Sequence, residues 1–488
     1  MRDSRKINYP MVVRVTGFLL LIEAAFMLTP AVTAMICGEN GAMRAFGIST
    51  AITAAAGAVF CRIRPAHTDM GRREGFLLTA SIWVVFSLFG MIPYMLAPTT
   101  RLDLSAAFFE AMSGFTTTGV SLVEHTDQLS RTINVWRCMS QWLGGMGIII
   151  FTLAVIPMLN HSGGMQMFNA EATGITHDKI RPRISSTAKQ MWGIYTCLTV
   201  LLFLLLWAGP MDAFDAACHA MATMSTGGFS TSSSGINAWP GTYVKVILTV
   251  FMFLGGVNFA LIYKAMHGQM HALRDNDTFR TYLRVIALST AVFIVCIVVN
   301  GAFIEWSNVT IDPLFQVVSS ITSTGYSLSA FNYWGVAVVA LSFILMFSGG
   351  CAGSTSGGVK VDRLVCLMKF LHNEVKRLLR PNSVTAVRVN SRTVPAHAVN
   401  KVVAFVCIYT LVIVLGGLLL TVLNVPMHTA FYSVFSCVSN AGFEVEVTEG
   451  TFSLIPPAGR WILAAAMLIG RLEIFTVLVL CTRSFWRR

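Results

Sequence analysis

Four small polar clusters, each built around a glycine, are the residues of this chain with the chemistry to bind an ion. Aligned at the glycine, they are Thr116-Thr117-Thr118-Gly119-Val120, Met224-Ser225-Thr226-Gly227-Gly228, Thr322-Ser323-Thr324-Gly325-Tyr326 and Ser439-Asn440-Ala441-Gly442-Phe443. The clusters contain no carboxylate, so they offer backbone carbonyls and hydroxyls to a ligand. Glycine readily adopts positive φ, which can turn a carbonyl toward an ion. Because rings of carbonyls can replace the hydration shell of a large monovalent cation, we expect the backbone carbonyls of the four clusters to bind such a cation.

Each cluster follows an amphipathic segment that is too short to cross a membrane. The segments with their clusters are 104–120, 213–229, 312–327 and 429–444. Read as half-helices, they point the negative ends of their dipoles at the clusters, which favours a cation there. The key glycines recur at intervals of 108, 98 and 117 residues, so the unit is a degenerate internal repeat. Glu110 on the first segment either hydrogen-bonds behind its cluster or attracts cations at the mouth, and both roles stay open.

A second unusual stretch interrupts the long apolar run that begins at Tyr333. Its glycine and polar residues are Gly349, Gly350, Gly353, Ser354, Thr355, Ser356, Gly357, Gly358 and Lys360. Unsatisfied backbone groups are costly in lipid, so we expect this loop to face water in a cavity below the clusters. A flexible loop in that position would act as a gate.

Two other functions fit parts of the same loop. The spacing of Gly353 and Gly358 resembles the phosphate-binding motif G-x-x-x-x-G-K-[ST], but Val359 displaces the lysine and no hydroxyl follows it. A broken helix also forms the midplane binding site of alternating-access transporters. The phosphate site is disfavoured, whereas the midplane site stays open.

Arg471 lies near the middle of the last apolar run, where a charged side chain is costly and usually functional. We expect it to face the cavity, to add an electrostatic barrier below the clusters and to pair with carbonyls of the gate loop. A local ion pair across a helix interface is the alternative. The sequence contains no evident nucleophile–base set and no cluster with metal-ligand spacing. It therefore predicts neither an enzyme nor a metal site apart from the conducted ion.

The elements that position these residues are membrane helices. The chain of 488 residues is 55% hydrophobic and only 12% charged, whereas soluble domains are about 25% charged. Ten apolar runs could span a bilayer as helices, and they cover residues 11–36, 44–61, 74–97, 132–157, 189–209, 241–263, 282–303, 333–370, 399–423 and 459–482. The sequence therefore predicts an all-α polytopic membrane protein.

Basic residues fall mostly in the short linkers between these runs, which the positive-inside rule assigns to the cytoplasm. Anionic lipid, and not nucleic acid, is therefore the expected partner of the net charge of +12. An even number of spans places both termini in the cytoplasm. The predicted divisions are an N-terminal two-helix extension at 1–73 and four repeats at 74–186, 187–280, 281–398 and 399–488, with the gate loop at 348–359.

The motifs together resemble those of a known family. T-T-T-G, S-T-G-G-F, S-T-G-Y and N-A-G-F occur in order with QWLGGMGI at 141–148, GGCAGSTSGGVK at 349–360 and GRLEIFTVLVL at 470–480. This set resembles the Trk/Ktr/HKT superfamily of potassium transport proteins, and within it the Trk-type membrane subunit. The resemblance extends over the whole chain, including the two additional N-terminal spans.

The resemblance implies a single-chain pore with four pseudosymmetric repeats, potassium as the transported ion and loop 348–359 as the gate. Glycine at positions 119, 227, 325 and 442 implies a preference for potassium over sodium. Asn440-Ala441 departs most from the pattern, because it replaces the hydroxyl pair and so predicts a different set of ligands in the fourth loop. The resemblance also implies a homodimer in the bacterial cytoplasmic membrane. A cytoplasmic ring of regulatory subunits would bind the nucleotide, so no nucleotide site is expected in this chain.

Two other classes of transport remain as alternatives. A Na⁺- or H⁺-coupled K⁺ symporter would use the broken helix as a midplane site. An ATP-driven pump subunit would need ATP hydrolysis coupled to flux. This chain lacks both a D-K-T-G-T aspartyl-phosphate motif and a matching P-loop.

Overall fold

The protein is predominantly α-helical, as the sequence predicts. The computed structural model describes residues 7–65, 70–145, 147, 184–301, 308–328, 334–383, 385–390, 392–443, 452 and 454–486. Within these residues the strand structure is one short hairpin, β1 (Arg388–Val389) with β2 (Arg392–Thr393). The second half of the predicted fourth span and the start of the eighth lie outside the described residues.

Six helical stretches in the described residues are long and apolar enough to cross a membrane. They are α1 (Tyr9–Cys37), α2 (Asn40–Cys61), α3 (Arg72–Gly90) continued by α4 (Ile92–Leu96), α7 (Ile184–Trp207), α12 (Asp277–Val299) and α16 (Ala396–Val422). Local sequence defines the ends of α1. The Asn8 side chain accepts a hydrogen bond from Met11 N at 3.3 Å, and Gly38 ends the helix at φ 69°.

Two further spans are sharply bent, although the sequence predicts each as one continuous helix. The pair α9 (Thr242–Gly255) and α10 (Phe259–Met266) bends by 104°. The pair α18 (Pro457–Arg471) and α19 (Phe475–Cys481) bends by 114°. Asn258 caps α10 by accepting from Ala260 N at 2.8 Å, which stabilises a new helix start at the first bend.

Four short helices match the predicted half-helices. They are α5 (Leu104–Phe115), α8 (Ala213–Met224), α13 (Asn308–Ile321) and α17 (Met427–Ser439). Carboxylates start the first two, because Asp103 accepts from Ser105 N at 3.1 Å and Asp212 accepts from Asp215 N at 2.7 Å. At 12 to 14 residues, each is about 20 Å long, which is short of the roughly 30 Å hydrocarbon core.

The remaining helices connect and support these elements. They are α6 (Arg131–Gly145), α11 (His271–Arg274), α14 (Val336–Ser348), α15 (Val361–Leu379) and α20 (Arg483–Trp486). Helix α14 ends at Gly349, and α15 begins after Lys360. The predicted break in the eighth span is therefore confirmed, and we call residues 349–360 the intramembrane loop.

Candidate functional site

The four glycine-containing loops form a closed ring. Gly119, Gly228, Gly325 and Gly442 have φ of 83°, 76°, 88° and 63°. A Cβ atom on each would overlap a carbonyl oxygen of the next loop, namely Gly227 O, Thr324 O, Ala441 O and Thr118 O in that order. Loop 1 therefore contacts loop 2, loop 2 contacts loop 3, loop 3 contacts loop 4, and loop 4 returns to loop 1. We call these four glycines the ring glycines.

The structure corrects the alignment of loop 2 by one residue. In each loop, the N–H of the residue before the ring glycine donates to a carbonyl five residues earlier. These bonds are Thr118 N to Ser113 O (2.9 Å), Gly227 N to Ala222 O (2.9 Å), Thr324 N to Ser319 O (3.0 Å) and Ala441 N to Ser436 O (3.1 Å). Gly228, and not Gly227, is thus the equivalent of Gly119. The loops are residues 116–120, 225–229, 322–326 and 439–443, and Met224 belongs to the half-helix.

The second residue of every loop adopts a left-handed backbone conformation. The φ values are 55° at Thr117, 53° at Thr226, 51° at Ser323 and 48° at Asn440. Such conformations cost about 1–3 kcal/mol for a residue other than glycine and cluster at functional sites. The same two positive-φ positions in four loops give all four the same backbone path, so equivalent carbonyls take equivalent places around the ring.

Asn440 does not interrupt this pattern. The sequence predicts that Asn440-Ala441 gives the fourth loop a different set of ligands. Instead, Asn440 Nδ2 donates to Thr118 Oγ1 at 2.9 Å and to Met467 O at 3.0 Å. The side chain joins loop 4 to loop 1 and to α18, while the Ala441 carbonyl meets the ring glycine of loop 3, as the equivalent carbonyls meet the ring glycines of their preceding loops.

Hydroxyl groups in the loops bond to the protein. Thr116 Oγ1 donates to Met112 O at 2.6 Å and lies 2.8 Å from Thr118 Oγ1. Thr322 repeats this arrangement, with Val318 O at 2.7 Å and Thr324 Oγ1 at 2.8 Å. These hydroxyls stabilise the loops, which leaves the backbone carbonyls as the principal ion ligands that the ring can present.

A polar cavity of about 200 Å³ opens on one side of the ring. All four ring glycines line it, together with Glu124, Ser230, Ser233 and Tyr326. An ion in this vestibule would meet the ring directly.

The intramembrane loop contacts the opposite side of the ring, at the ends of the half-helices. Thr355 Oγ1 donates to Met224 O at 3.2 Å. Gly357 N donates to Ser323 Oγ at 2.5 Å, and Gly358 N donates to Ser439 O at 3.0 Å. The loop therefore bonds to three of the four half-helix ends or loops.

Protein groups satisfy several backbone groups of this loop. The sequence predicts that the loop faces water in a cavity, which stays a prediction, and the break between α9 and α10 supplies two carbonyls to the loop. Cys351 N donates to Gly256 O at 2.9 Å, and Thr355 N donates to Gly255 O at 3.2 Å. The Gly353 carbonyl in turn accepts from Phe259 N at 3.1 Å. One broken helix thus satisfies the backbone groups of another within the membrane.

Charged side chains converge on the intramembrane loop. Arg471 donates to Thr355 O at 3.3 Å and to Gly145 O at 3.0 Å, and it also bonds to Gly144 O. Lys360, which is 4% exposed, bonds to Ser356 O. The expected contact between Arg471 and a loop carbonyl is present. Glu473, two residues after Arg471, forms an ion pair with Arg363.

Of two residues that support the loops, Gln141 is not predicted by the sequence, whereas Glu110 is predicted with two open roles. Gln141 Nε2 donates to Gly227 O at 2.7 Å, and Gln141 Oε1 accepts from Phe229 N at 3.2 Å, so α6 holds loop 2 from behind. Glu110 is fully buried and forms an ion pair with Arg137 at 2.9 Å, which places it behind loop 1 and away from the mouth. The signal for such residues is a polar side chain on an otherwise apolar helix beside a loop.

Comparisons with known proteins agree with the geometry. The TrkH family model, described as a cation transport protein, matches residues 42–487. The Trk system potassium uptake protein TrkH of Escherichia coli K12 is 36% identical over 98% of this chain and 100% of its own length. The Trk system potassium uptake protein TrkI of Halomonas elongata is 33% identical over the full length of both chains.

A solved structure shares the fold. The crystal structure of the potassium transporter TrkH from Vibrio parahaemolyticus matches with a TM-score of 0.89 and 30% identity, over 99% of this chain and 100% of that one. These relatives are transporters, which agrees with the prediction that the chain is not an enzyme. The chain is a polytopic membrane protein that belongs to the TrkH family of cation transport proteins.

Proposed function

We propose that this protein is the ion-conducting membrane subunit of a potassium uptake system. The relatives named as potassium uptake proteins match over the whole chain. The observation that carries the proposal is the closed ring of four loops, in which each ring glycine packs against a carbonyl of the next loop. Potassium would pass from the vestibule through this ring.

The chemistry of the ring suits potassium. Its backbone carbonyls can replace the hydration shell of a weakly hydrated monovalent cation. The C-terminal ends of four half-helices meet at the ring, and the negative ends of their dipoles favour a cation there. Glycine at all four ring positions supports a preference for potassium over sodium, since the carbonyl positions are then the same in every loop.

The intramembrane loop is the gate of this pathway. It bonds to Met224 O, Ser323 Oγ and Ser439 O beneath the ring, which supports a closed state in this conformation. Arg471 and Lys360 add positive charge to the loop and so oppose the passage of a cation. Opening requires these hydrogen bonds to break together.

The proposal extends to the assembly. Relatives named for the Trk system imply further components of that system. We assign this chain to a homodimer in the bacterial cytoplasmic membrane, with both termini in the cytoplasm and a regulatory ring of nucleotide-binding subunits on that side. We also assign residues 1–73 to the N-terminal extension and residues 74–186, 187–280, 281–398 and 399–488 to the four repeats.

Uptake of ⁸⁶Rb⁺ into K⁺-loaded liposomes tests the proposal. The liposomes contain the purified chain alone, without ATP and without a Na⁺ or pH gradient, and external K⁺ and Na⁺ are added as competitors. We expect uptake that K⁺ inhibits more strongly than Na⁺, because the ring alone selects the ion. Liposomes without protein provide the background.

Coupled transport is the second candidate, because three spans in the described part of the chain are broken, at 256–258, 349–360 and 472–474. Broken helices form the midplane sites of coupled transporters. If uptake begins only when a Na⁺ or H⁺ gradient is imposed, the protein is a symporter and the proposal of a passive pathway is wrong.

A further inference from the structure

Behind three of the four loops, a buried polar side chain connects the half-helix to the residues that follow the ring glycine. These side chains occupy the same place, nine residues before the ring glycine, and they are Glu110, His219 and Gln316. All three are fully buried. The position therefore repeats in structure, although its chemistry differs from carboxylate to imidazole to amide.

The contacts are equivalent in the three loops. Glu110 accepts from Ser121 Oγ at 2.9 Å and from Leu122 N at 3.2 Å. His219 Nε2 lies 3.1 Å from Ser230 Oγ, and Gln316 Oε1 accepts from Leu328 N at 3.3 Å. Each bond joins the half-helix to a residue two or three positions after the ring glycine. The strained five-residue loop between these points is thus fixed at both ends.

The tautomer of His219 follows from its surroundings. Its Nδ1 atom lies 2.9 Å from the Asp215 carbonyl, which can only accept, so Nδ1 carries the proton. Because His219 is fully buried, its ring is neutral, and Nε2 accepts from the Ser230 hydroxyl. His219 and Glu110 consequently act in the same way, as acceptors for a serine that follows the ring glycine.

Arg137 joins the supports of loops 1 and 2. Its side chain is 2% exposed, and Nε donates to Glu110 Oε1 at 2.9 Å. The other guanidinium nitrogens donate to Ser121 Oγ at 3.0 Å and to Ser230 O at 3.4 Å. A movement of loop 1 or loop 2 is therefore transmitted to the other loop through the guanidinium group of Arg137.

We propose that Glu110, His219 and Gln316 are positioning residues that hold the ring loops at the geometry which favours K⁺ over Na⁺, with Arg137 coupling loops 1 and 2. This inference rests on the proposed function. A site of this kind needs its ligands held within about 0.5 Å by supporting hydrogen bonds. Without the support, a loop can adjust to the smaller Na⁺ ion, and the preference falls.

The test uses the ⁸⁶Rb⁺ assay on the full chain, with variants of loops 2 and 3. His219→Leu and Gln316→Leu remove the acceptor, while His219→Gln and Gln316→Glu retain one at similar reach. The matched control is Leu314→Ala, which lies on the same half-helix as Gln316 but is 37% exposed. The readout is the ratio of the Na⁺ and K⁺ concentrations that halve uptake, together with monodispersity in detergent.

We expect the leucine variants to lower this ratio about three- to tenfold, the equivalent of one hydrogen bond. The conservative variants and Leu314→Ala should stay within about twofold of the wild type by the same conversion. If a leucine variant does not fold, Gln316→Asn replaces it, because its amide is one methylene too short to reach Leu328 N. The ratio should then fall while the protein stays monodisperse.

Two results would overturn the inference. Folded leucine or asparagine variants with the wild-type ratio would show that the supports do not set selectivity. If His219→Gln and Gln316→Glu lose as much selectivity as the leucine variants, the hydrogen bond does not set selectivity, and the native side chain acts through its packing. In both cases the wild type remains selective, so the proposed function survives. A wild type without K⁺-selective uptake would overturn the proposed function and this inference with it.

Discussion

Each ring glycine combines positive φ with a carbonyl oxygen of the neighbouring loop at the place where a Cβ atom would lie. Either condition alone favours glycine. Together they mean that a side chain strains its own loop and also displaces the next one. We therefore expect the selectivity of the proposed pathway to depend on the absence of side-chain atoms at these four positions.

Replacement of Gly119 by serine tests this dependence. Gly119→Ser places Cβ against the Gly227 carbonyl, so loops 1 and 2 must separate. We expect the ratio of half-inhibiting Na⁺ and K⁺ concentrations to fall about tenfold, which corresponds to about 1.4 kcal/mol of lost discrimination. Competition of K⁺ and Na⁺ with ⁸⁶Rb⁺ uptake measures it.

The matched control is Gly193→Ser in α7, where a Cβ atom has no neighbour within 4 Å. Its ratio should equal that of the wild type. If the folded Gly119→Ser protein has an unchanged ratio, loop 1 does not contribute to the selectivity of the pathway.

At the residue scale the sequence was informative about residue type but not about register or direction. Clusters of threonine and serine around a glycine identify the loops, because small polar residues stand out beside apolar segments and glycine readily adopts positive φ. The sequence aligns loop 2 at Gly227, whereas the positive φ of Gly228 and the hydrogen bond from Gly227 N to Ala222 O identify Gly228 as the ring glycine. The direction of the Asn440 side chain depends on Thr118, which is 322 residues away in sequence.

At the scale of elements, hydropathy predicted one broken span and missed two. The break at 349–360 contains many glycines and hydroxyls, which stand out in an apolar run. The bends at 256–258 and 472–474 involve few residues, so each bent pair of helices still has the mean hydropathy of one span, even with Arg471 and Glu473 at the second bend. Their backbone groups are stabilised by tertiary partners, such as the bonds from Cys351 N and Thr355 N to the α9 end. A local sequence pattern does not reveal such partners.

Arg471 connects two of these breaks, and its removal tests the gate. Arg471→Ala eliminates the bonds to Thr355 O on the loop and to Gly144 O and Gly145 O on α6. Hydrogen bonds from charged groups contribute about 1.5–3 kcal/mol each. We therefore expect basal ⁸⁶Rb⁺ uptake to rise about tenfold or more, as measured in liposomes without a partner subunit.

Arg460→Ala is the control for the loss of a guanidinium, because Arg460 pairs with Asp103 at the start of the first half-helix, away from the intramembrane loop. Its basal uptake should not change. A folded Arg471→Ala protein with wild-type or lower uptake would argue against the loop as a gate.

At the scale of the whole molecule, charge and hydropathy together predict an orientation. Basic linkers are expected on the cytoplasmic side, so α1 runs outward from the N-terminus and α2 returns. Cys37, at the end of α1, then faces the outside, whereas Cys481, at the end of α19, faces the cytoplasm. Both cysteines are exposed in the structure, which makes them native reporters of the two sides.

A membrane-impermeant maleimide applied to intact cells tests this orientation. We expect it to label Cys37 and not Cys481, and labelling should be lost in Cys37→Ser. Cys197 and Cys407 are also exposed, but they lie in the middle of the apolar helices α7 and α16, where a polar reagent does not enter. Permeabilised cells should add Cys481 to the labelled residues, which shows that it is reactive when reached. Labelling of Cys481 in intact cells would show that α19 has the opposite orientation. The intramembrane loop would then lie on the outer side of the ring, where it could not gate the cytoplasmic exit.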